Sequence, residues 1–295
     1  MSTPLRVRRA VTVVVTTTAV LAGGFSASQA QAATRPAPAI TAPGAFVMNN
    51  GTSATLYGKA ADTRRATGST TKIMTAKVVL AQRGLNLDAK VTIQKAYSDY
   101  IVSKNASSAR LIVGDKVTVR QLLYGLMLPS GCDAAYALAD KFGTGSTRAA
   151  RVKSFIGKMN EEARKIGLRN THFDSFDGIS NGSNYSTPRD LTKIASSAMK
   201  NATFRTIVKT KSTTQKVTTR TGGYRNMAWT NTNKLLSTYS GAIGVKTGSG
   251  QQAKYCLVFA ATRNNKTVIG TVLAAPSETN RAADVKKLLD YGFTK

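Results

Sequence analysis

The segment from residue 254 to residue 275, KYCLVFAATRNNKTVIGTVLAA, decides the fold because it predicts two neighbouring strands of a sheet. Its two apolar runs are Lys254–Thr262 and Thr267–Ala275, and the turn pair Asn264-Asn265 joins them. A third strand, Ala242–Thr247, is predicted just before them. The last third of the chain is therefore expected to supply much of a β-sheet.

The opposite end of the chain predicts a hairpin. Phe46-Val47-Met48 and Ala54-Thr55-Leu56-Tyr57 flank Asn49-Asn50-Gly51, a typical tight-turn sequence. Between these ends, apolar residues at three- and four-residue spacing predict helices over Ser69–Ala81, Val119–Leu128, Asp133–Phe142, Ser154–Ile166 and Pro188–Lys200, with a final helix at about Arg281–Tyr291. A sheet built from both ends of a chain, with helices inserted between, indicates an α+β fold.

The first 32 residues have the three parts of a secretory signal peptide. Arg6, Arg8 and Arg9 precede an apolar run from Val11 to about Gly23, and Ala30-Gln31-Ala32 offers a small-x-small cleavage site. The alternative is an uncleaved membrane anchor, although the run is short of the ~20 residues that a spanning helix needs. We expect residues 1–32 to be a signal peptide, residues 33–44 a Pro/Ala-rich leader, and residues 45–295 one folded domain with a helical insert at about 84–200.

Composition limits the kinds of site and partner. The 295 residues include 42 Lys and Arg against 14 Asp and Glu, a net charge of +28. In an exported protein this charge favours contact with an anionic envelope, and the spread of the cations together with the lack of a binding motif argues against nucleic acid. One His and two Cys leave too few ligands for a usual zinc site, and we expect no metal or cofactor. Cys132 and Cys256 could pair after export, but their spacing alone does not favour it.

Three short motifs carry candidate chemistry, and the first is Ser69-Thr70-Thr71-Lys72 at a predicted helix start. A spacing of three places the Ser69 hydroxyl and the Lys72 amine on one helical face. A nucleophilic serine needs a base, and a lysine can serve when its pKa is depressed. Taken alone, the motif is weak, and a capped helix with a solvated lysine is the better interpretation.

The other two motifs are Ser130-Gly131-Cys132 and Lys246-Thr247-Gly248. Ser130 lies in a break between two predicted helices and could relay a proton, although a plain turn is the simpler interpretation. A cation and a hydroxyl at a strand edge suit a substrate carboxylate, and Gly248 would let the substrate backbone approach closely. From Leu191 to Ser277 there is no Asp or Glu, so the field around this strand is positive.

In this order, the three motifs resemble the set found in penicillin-binding proteins and class A β-lactamases. Further matching segments are Gly68–Ala76, Leu122–Gly131, Asn170–Phe173, Tyr185–Leu191 and Leu289–Phe293. The chain thus resembles low-molecular-mass penicillin-binding proteins, the serine-type D-alanyl-D-alanine carboxypeptidases and transpeptidases. The resemblance implies an antiparallel sheet flanked by helices with an inserted all-helical subdomain, an α+β fold of the DD-peptidase/β-lactamase type.

The resemblance also implies roles at single positions. Ser69 would attack the carbonyl of the penultimate D-Ala, with Lys72 as base and Ser130 as proton relay. Lys246 and Thr247 would hold the terminal carboxylate, and the backbone N–H groups of Ser69 and Ser249 would form the oxyanion hole. The implied partners are peptidoglycan stem peptides ending in D-Ala-D-Ala and β-lactam inhibitors, with no cofactor, and the protein is expected to be a monomer at the outer face of the membrane.

Cys132 departs from the family pattern, which usually has Asn there. A thiol is a weaker donor and acceptor than an amide, so hydrogen bonding to the substrate and to Lys72 should weaken. Ser-Gly-Cys resembles the exported streptomycete type of DD-transpeptidase, which favours transfer over hydrolysis. Two alternatives stay open. The first is a β-lactamase, which is disfavoured because the stretch between the second and third motifs has only two glutamates, Glu161 and Glu162, both in a predicted helix, and no Glu-x-x-Leu-Asn sequence. The second is a non-enzymatic basic wall-binding protein. His172, the single His, is expected to be structural.

Overall fold

The protein is described here from a computed structural model covering residues 1–2, 10, 12–14 and 36–295. The chain divides into two units, Met1–Thr34 and Arg35–Lys295. Apart from the six residues 1–2, 10 and 12–14, the predicted signal peptide lies outside the described residues. Within the described ranges, no helix combines the length and the apolar character needed to cross a bilayer.

The main sheet joins the two ends of the folded unit. Its order is β2-β1-β9-β8-β7, and every neighbouring pair is antiparallel. The strands are β1 Gly44–Asn49, β2 Thr55–Lys59, β7 Ala242–Gly250, β8 Lys254–Arg263 and β9 Lys266–Ala275. The predicted α+β class, with an antiparallel sheet flanked by helices, is confirmed.

The β8–β9 hairpin explains why the segment quoted first is apolar on both faces. Asn264 and Asn265 both have positive φ, at 46° and 59°, as a tight hairpin turn requires. Successive side chains of β8 enter different cores: Val258 packs in the core beneath the inserted helices, and Phe259 packs in the core under the C-terminal helix. A strand covered on both faces has no solvent face to make polar.

The helices lie on both sides of this sheet and carry the site. A 3₁₀ helix, Gly68–Thr71, runs directly into the first α-helix. The α-helices are α1 Lys72–Leu80, α2 Lys95–Lys104, α3 Val119–Met127, α4 Cys132–Phe142, α5 Arg148–Lys165, α6 Pro188–Ala198, α7 Ala202–Lys209, α8 Leu235–Thr238 and α9 Glu278–Phe293. All six predicted helices are present, whereas α2, α7 and the short α8 were not predicted.

A second sheet corrects the expectation of an all-helical insert. Its order is β3-β4-β5-β6, from β3 Lys90–Thr92, β4 Lys116–Thr118, β5 Ser212–Thr218 and β6 Tyr224–Thr230. The first two strands lie inside residues 84–200 but have three residues each, which is too short for an alternation to be recognised. The β5 strand is polar and threonine-rich, with Val217 its single fully buried residue.

The predicted leader is partly built into the fold. Ile40 and Ala42 are buried, and the backbone N–H groups of Thr41 and Ala42 donate to the Asp284 carboxylate at 3.0 and 2.8 Å. The chain is therefore fixed against α9 before β1 begins at Gly44. Of the described part of the leader, residues 36–39 precede this segment that is bonded to α9.

A buried carboxylate on α4 fixes the segment that lies behind the site. Asp133, at 2% exposure, accepts hydrogen bonds from the backbone N–H groups of Ala109 and Leu111 at 2.8 and 3.1 Å. It also accepts from the Ser108 hydroxyl at 2.8 Å. Since 108–111 has no regular secondary structure, these bonds replace the ladder that a strand would supply.

We predict that Asp133→Ala lowers the free energy of unfolding by about 3–5 kcal/mol, because buried N–H donors lose their acceptor. Urea titration followed by circular dichroism measures the change. Asp88→Ala is the matched control, since the Asp88 side chain is 76% exposed and its surface ion pair with Arg120 contributes at most about 1 kcal/mol. Equal losses of unfolding free energy in the two variants would contradict the role of Asp133 in fixing residues 108–111.

Candidate active site

Ser69 and Lys72 meet at the junction between the 3₁₀ helix and α1. Ser69 lies inside the 3₁₀ helix, and Lys72 is the first residue of α1. The Lys72 Nζ lies 2.7 Å from the Ser69 Oγ. Ser69 is half-buried and faces a cleft of about 940 Å³. An amine at this distance can take a proton from the hydroxyl.

Lys72 is enclosed completely, at 0% exposure. Its Nζ has two further contacts, both at 3.2 Å: the Cys132 Sγ at the start of α4, and the backbone carbonyl of Asp177. None of its three hydrogen-bond partners is a carboxylate. The amine is therefore held by dipoles from three separate parts of the chain, which fixes its position beside Ser69.

Ser130 lies in the break between α3 and α4, as predicted. Its φ is +66°, an uncommon conformation for a residue with a side chain. Its backbone carbonyl accepts from the Ser107 hydroxyl at 2.6 Å, which holds the turn in place. The Ser130 Oγ is buried and, among the described residues, has no hydrogen-bond partner. A hydroxyl that lines a cleft without a partner is available to a ligand.

Cys132 is the first residue of α4 and lines the same cleft. Its Sγ lies between the Lys72 Nζ at 3.2 Å and the Ser107 Oγ at 3.5 Å. Burial raises the pKa of the Cys132 thiol, and the neighbouring Lys72 charge partly offsets this effect. Cys132 and Cys256 are both free thiols.

The β7 strand carries the third motif along the cleft. Lys246 is 1% exposed, and its Nζ donates to the Thr247 carbonyl at 3.1 Å. Burial lowers the pKa of Lys246 well below its ordinary value, and the charge of Lys72 adds to the effect. The Thr247 hydroxyl lies 2.6 Å from that of Thr232. The structure thus places the buried Lys246 amine next to Thr247, which is 7% exposed and lines the cleft.

Gly248 lines the cleft and also has a packing contact that the sequence did not reveal. A Cβ at this position would lie 2.8 Å from the carbonyl oxygen of Thr67 and 3.1 Å from the amide nitrogen of Thr70. The missing side chain therefore lets β7 pack against the 3₁₀ helix, while the close approach of a substrate backbone at Gly248 stays a prediction. The same packing brings the Ser249 backbone beside Gly68, next to Ser69.

The cleft collects the predicted site residues from distant parts of the sequence. Its lining includes Ser69, Ser130, Cys132, Thr247, Gly248 and Ser249. Lys72 and Lys246 lie immediately behind this lining, fully buried. Within residues 36–295, the one acidic residue that lines the cleft is Glu278.

The sequence analysis missed three residues that shape the site: Ser107, Asp177 and Arg281. Arg281 is 7% exposed at the end of the cleft and donates to Glu278 at 3.2 Å, while its Nε has no hydrogen-bond partner among the described residues. A signal for it existed, because Arg281 shares the apolar face of α9 with Val285 and Leu288. Ser107 and Asp177 lie in loops, where no periodicity marks them.

The glutamates and the histidine considered for a β-lactamase or a catalytic triad are not among the residues that line the cleft. Glu161 and Glu162 are on α5, paired with Lys165 and Lys77 at 2.9 and 2.8 Å. The exposed His172 ring lies 2.8 Å from the Ser183 carbonyl through its Nδ1. No group of His, Cys, Asp and Glu suited to a metal ion occurs in the described part of the chain.

Comparisons with known proteins agree with this geometry. A family profile described as D-alanyl-D-alanine carboxypeptidase, peptidase S11, matches residues 29–277. The chain is 72% identical over 291 residues to the D-alanyl-D-alanine carboxypeptidase of Streptomyces sp. strain K15, covering 98% of this chain and 99% of that protein. It is 32% identical over 255 residues to the carboxypeptidase DacF of Bacillus subtilis, covering 86% of this chain and 62% of that protein.

Solved structures extend the similarity. The crystal structure of the Streptomyces K15 DD-transpeptidase superimposes with a TM-score of 0.88 at 76% identity, covering 88% of this chain and all 100% of that one. The carboxypeptidase DacD of Francisella tularensis superimposes with a TM-score of 0.77 at 29% identity, covering 88% and 72%. The resemblance stated from the three motifs is confirmed: the chain belongs to the peptidase S11 family and is an enzyme of the D-alanyl-D-alanine carboxypeptidase and DD-transpeptidase type.

Proposed function

We propose that this enzyme acts on peptidoglycan stem peptides through an acyl-enzyme on Ser69. The Ser69 Oγ attacks the carbonyl of the penultimate D-Ala, the peptide C–N bond breaks, and the terminal D-Ala leaves as a free amine. The observation that carries the proposal is the 2.7 Å contact between the Lys72 Nζ and the Ser69 Oγ at the wall of a peptide-sized cleft.

Lys72 acts as the base of acylation. In its neutral form the Nζ accepts the hydroxyl proton of Ser69 as the new ester bond forms. Ser130 then carries a proton to the leaving nitrogen, since its buried Oγ has no competing partner among the described residues. The backbone N–H groups of Ser69 and Ser249 stabilise the oxyanion of the tetrahedral intermediate.

Lys246, Thr247 and Arg281 hold the terminal carboxylate of the substrate. Two buried cations that lack a full set of partners favour an anionic ligand, because a carboxylate repays part of the cost of burying their charge. Arg281 already pairs with Glu278 through its Nη2 at 3.2 Å, which leaves its Nε available. Because these groups bind a free carboxylate, the enzyme would act at the C-terminus of a peptide rather than at an internal bond.

Cys132 directs the acyl-enzyme towards amine acceptors. Where an Asn amide would offer two donors and an acceptor, the thiol offers one weak donor and contacts only Lys72 and Ser107 closely. We propose slow hydrolysis and preferred transfer to an amine of a neighbouring stem peptide. The name of the similar Streptomyces K15 DD-transpeptidase supports this preference.

Efficient β-lactam hydrolysis is disfavoured, although β-lactams should acylate Ser69 as substrate mimics. A β-lactamase of class A needs a free carboxylate to activate the deacylating water. Glu278 is bound to Lys234 and Arg281 at 3.4 and 3.2 Å, so it is not free for that task. A non-enzymatic wall-binding protein is also disfavoured, because binding alone would not require the Lys72 amine to contact the Ser69 hydroxyl.

Export completes the proposal. The positive start, apolar run and Ala30-Gln31-Ala32 site support secretion by a signal peptide over residues 1–32. The enzyme would then act as a monomer in the cell envelope, in peptidoglycan synthesis and the maintenance of cell shape. Its net charge of +28 favours contact with anionic envelope components.

The test is product partitioning on a blocked peptide ending in D-Ala-D-Ala. We expect release of D-Ala by the parent protein and none by Ser69→Ala. Adding glycylglycine should divert most acyl-enzyme from the hydrolysis product to the transfer product, both quantified by mass spectrometry. Release of D-Ala that survives in Ser69→Ala would contradict Ser69 as the nucleophile. Hydrolysis that excess glycylglycine does not reduce would contradict the preference for amine acceptors.

Carboxylate binding should weaken as the pH rises. The lowered pKa of Lys246 means that its charged form is lost at alkaline pH, while the substrate carboxylate stays ionised. We therefore predict a KM that rises with pH in the range below the ordinary lysine pKa of about 10.4. Lys246→Arg is the control, because guanidinium stays charged throughout this range and should flatten the profile. A parent KM that does not change, or an equal slope in both proteins, argues against this role.

A further inference from the structure

The triplet Lys-Val-Thr occurs on three adjacent strands of the second sheet. It forms β3 (Lys90–Thr92), β4 (Lys116–Thr118) and the end of β5, where Lys216, Val217 and Thr218 close the strand. The three valines are buried, at 8%, 0% and 0% exposure. Because side chains alternate along a strand, the lysines and threonines all lie on the opposite, outer face.

Pairing registers set the lysines in an ordered array. Lys90 lies opposite Thr118, Lys116 lies opposite Thr92 on one side, and Lys116 lies opposite Thr218 on the other. Lys90 and Lys216 are thus diagonal neighbours of Lys116, each about 7–8 Å away at the Cα atoms. We call this surface, with Lys90, Lys116, Lys216 and their opposed threonines, the lysine face.

The lysine face has no acidic partner within residues 36–295 that would neutralise its charge. None of the three lysines forms an ion pair within the described residues, and all three are exposed. The nearby acids are engaged elsewhere: Asp88 pairs with Arg120, and Asp115 is buried beneath Arg225. Like charges at this spacing repel one another, so an anionic partner would relieve a cost that the free protein bears.

Apolar and aromatic side chains lie at one end of this face. Tyr224 of β6 lies opposite Thr218 in the same cross-strand row and is 68% exposed, with the Lys216 Nζ 4.3 Å above its ring centre. Ile112 and Val113, 41% and 43% exposed, lie in the loop that packs Gly114 against Arg220 of the β5–β6 turn. Exposed tyrosine and aliphatic residues next to cations are typical of surfaces that enter the headgroup region of a bilayer.

We propose that the lysine face docks the protein on a bilayer that contains anionic phospholipids. The lysines and threonines bind the phosphate groups, while Tyr224, Ile112 and Val113 enter the interface. This deepens the proposed function by naming the envelope partner, and it rests on export rather than on the catalytic steps. A soluble wall polyanion would use the cations equally, but it gives no reason for the exposed Tyr224, Ile112 and Val113.

Vesicle co-sedimentation tests the proposal, using the full chain with the same N-terminus in every variant. The vesicles are phosphatidylcholine with about 30 mol% phosphatidylglycerol, and phosphatidylcholine alone is the neutral comparison. Replacing Lys90, Lys116 and Lys216 together by Gln should weaken binding to the anionic vesicles on the order of 100-fold, at about five-fold per lysine. The matched control replaces the exposed Lys141, Lys153 and Lys200 by Gln, which removes the same charge elsewhere. It should weaken binding by less than about five-fold.

Equal losses in the two triple variants would show a general charge effect and overturn the proposal.

A second variant, Tyr224→Trp, distinguishes a bilayer from a polymer. Its new indole should shift to shorter emission wavelength on anionic vesicles and be quenched by lipids brominated in the acyl chain, while the buried Trp229 stays constant. Binding without quenching, displaced by soluble polyphosphate, would assign the face to a wall polyanion instead. Acylation by penicillin should be unchanged in the lysine-face variant, so failure here is separable from failure of the catalytic proposal.

Discussion

Complete burial of the Lys72 amine is the constraint on which the site depends. A lysine with no exposed surface must be met by polar atoms, and here they come from the Ser69 hydroxyl, the Cys132 thiol and the Asp177 carbonyl. Three chain segments must therefore converge within one hydrogen-bond length of a single atom. The close packing at Gly178, where a Cβ would lie 1.9 Å from the Gly68 carbonyl oxygen, shows how tightly the Asp177 segment is pressed against the 3₁₀ helix.

A second consequence is an accumulation of positive charge that the folded protein does not neutralise by itself. Lys246 is buried near Lys72 and Arg281, and the burial and the neighbouring charges lower its pKa together. Such a site is complementary to a ligand that brings its own negative charge, as a peptide C-terminus does. The second sheet has the same property on the surface, where the lysine face presents cations that have no acidic partner in the described part of the chain. Both features follow from a chain with 42 basic and 14 acidic residues.

The sequence predicted the elements whose pattern is strong and missed those that depend on distant contacts. The β8–β9 hairpin was found because its apolar runs and its Asn264-Asn265 turn are local signals. By contrast, β3 and β4 have three residues each, and β4 meets β5 only through the pairing of Lys116 with Thr218. The roles of Ser69 and Lys72 came from the resemblance of three motifs taken together, whereas Ser107 and Asp177 lie in loops that no periodicity marks. Gly248 was picked out for the close approach of a substrate, whereas its packing against Thr67 and Thr70 depends on a distant contact that no local pattern marks.

We propose above all that Ser69, activated by Lys72 as base, forms an acyl-enzyme, and that this acyl-enzyme is hydrolysed slowly. Intact mass of the protein, followed over hours with benzylpenicillin beside Ser69→Ala, tests it most directly. We expect a persistent adduct of one penicillin in the parent and none in the variant, because Glu278, the one acidic residue that lines the cleft within residues 36–295, is engaged in ion pairs with Lys234 and Arg281. Rapid penicillin turnover without an adduct would instead indicate a β-lactamase. An adduct that also forms in Ser69→Ala, or no reaction at all, would contradict the assignment of the nucleophile.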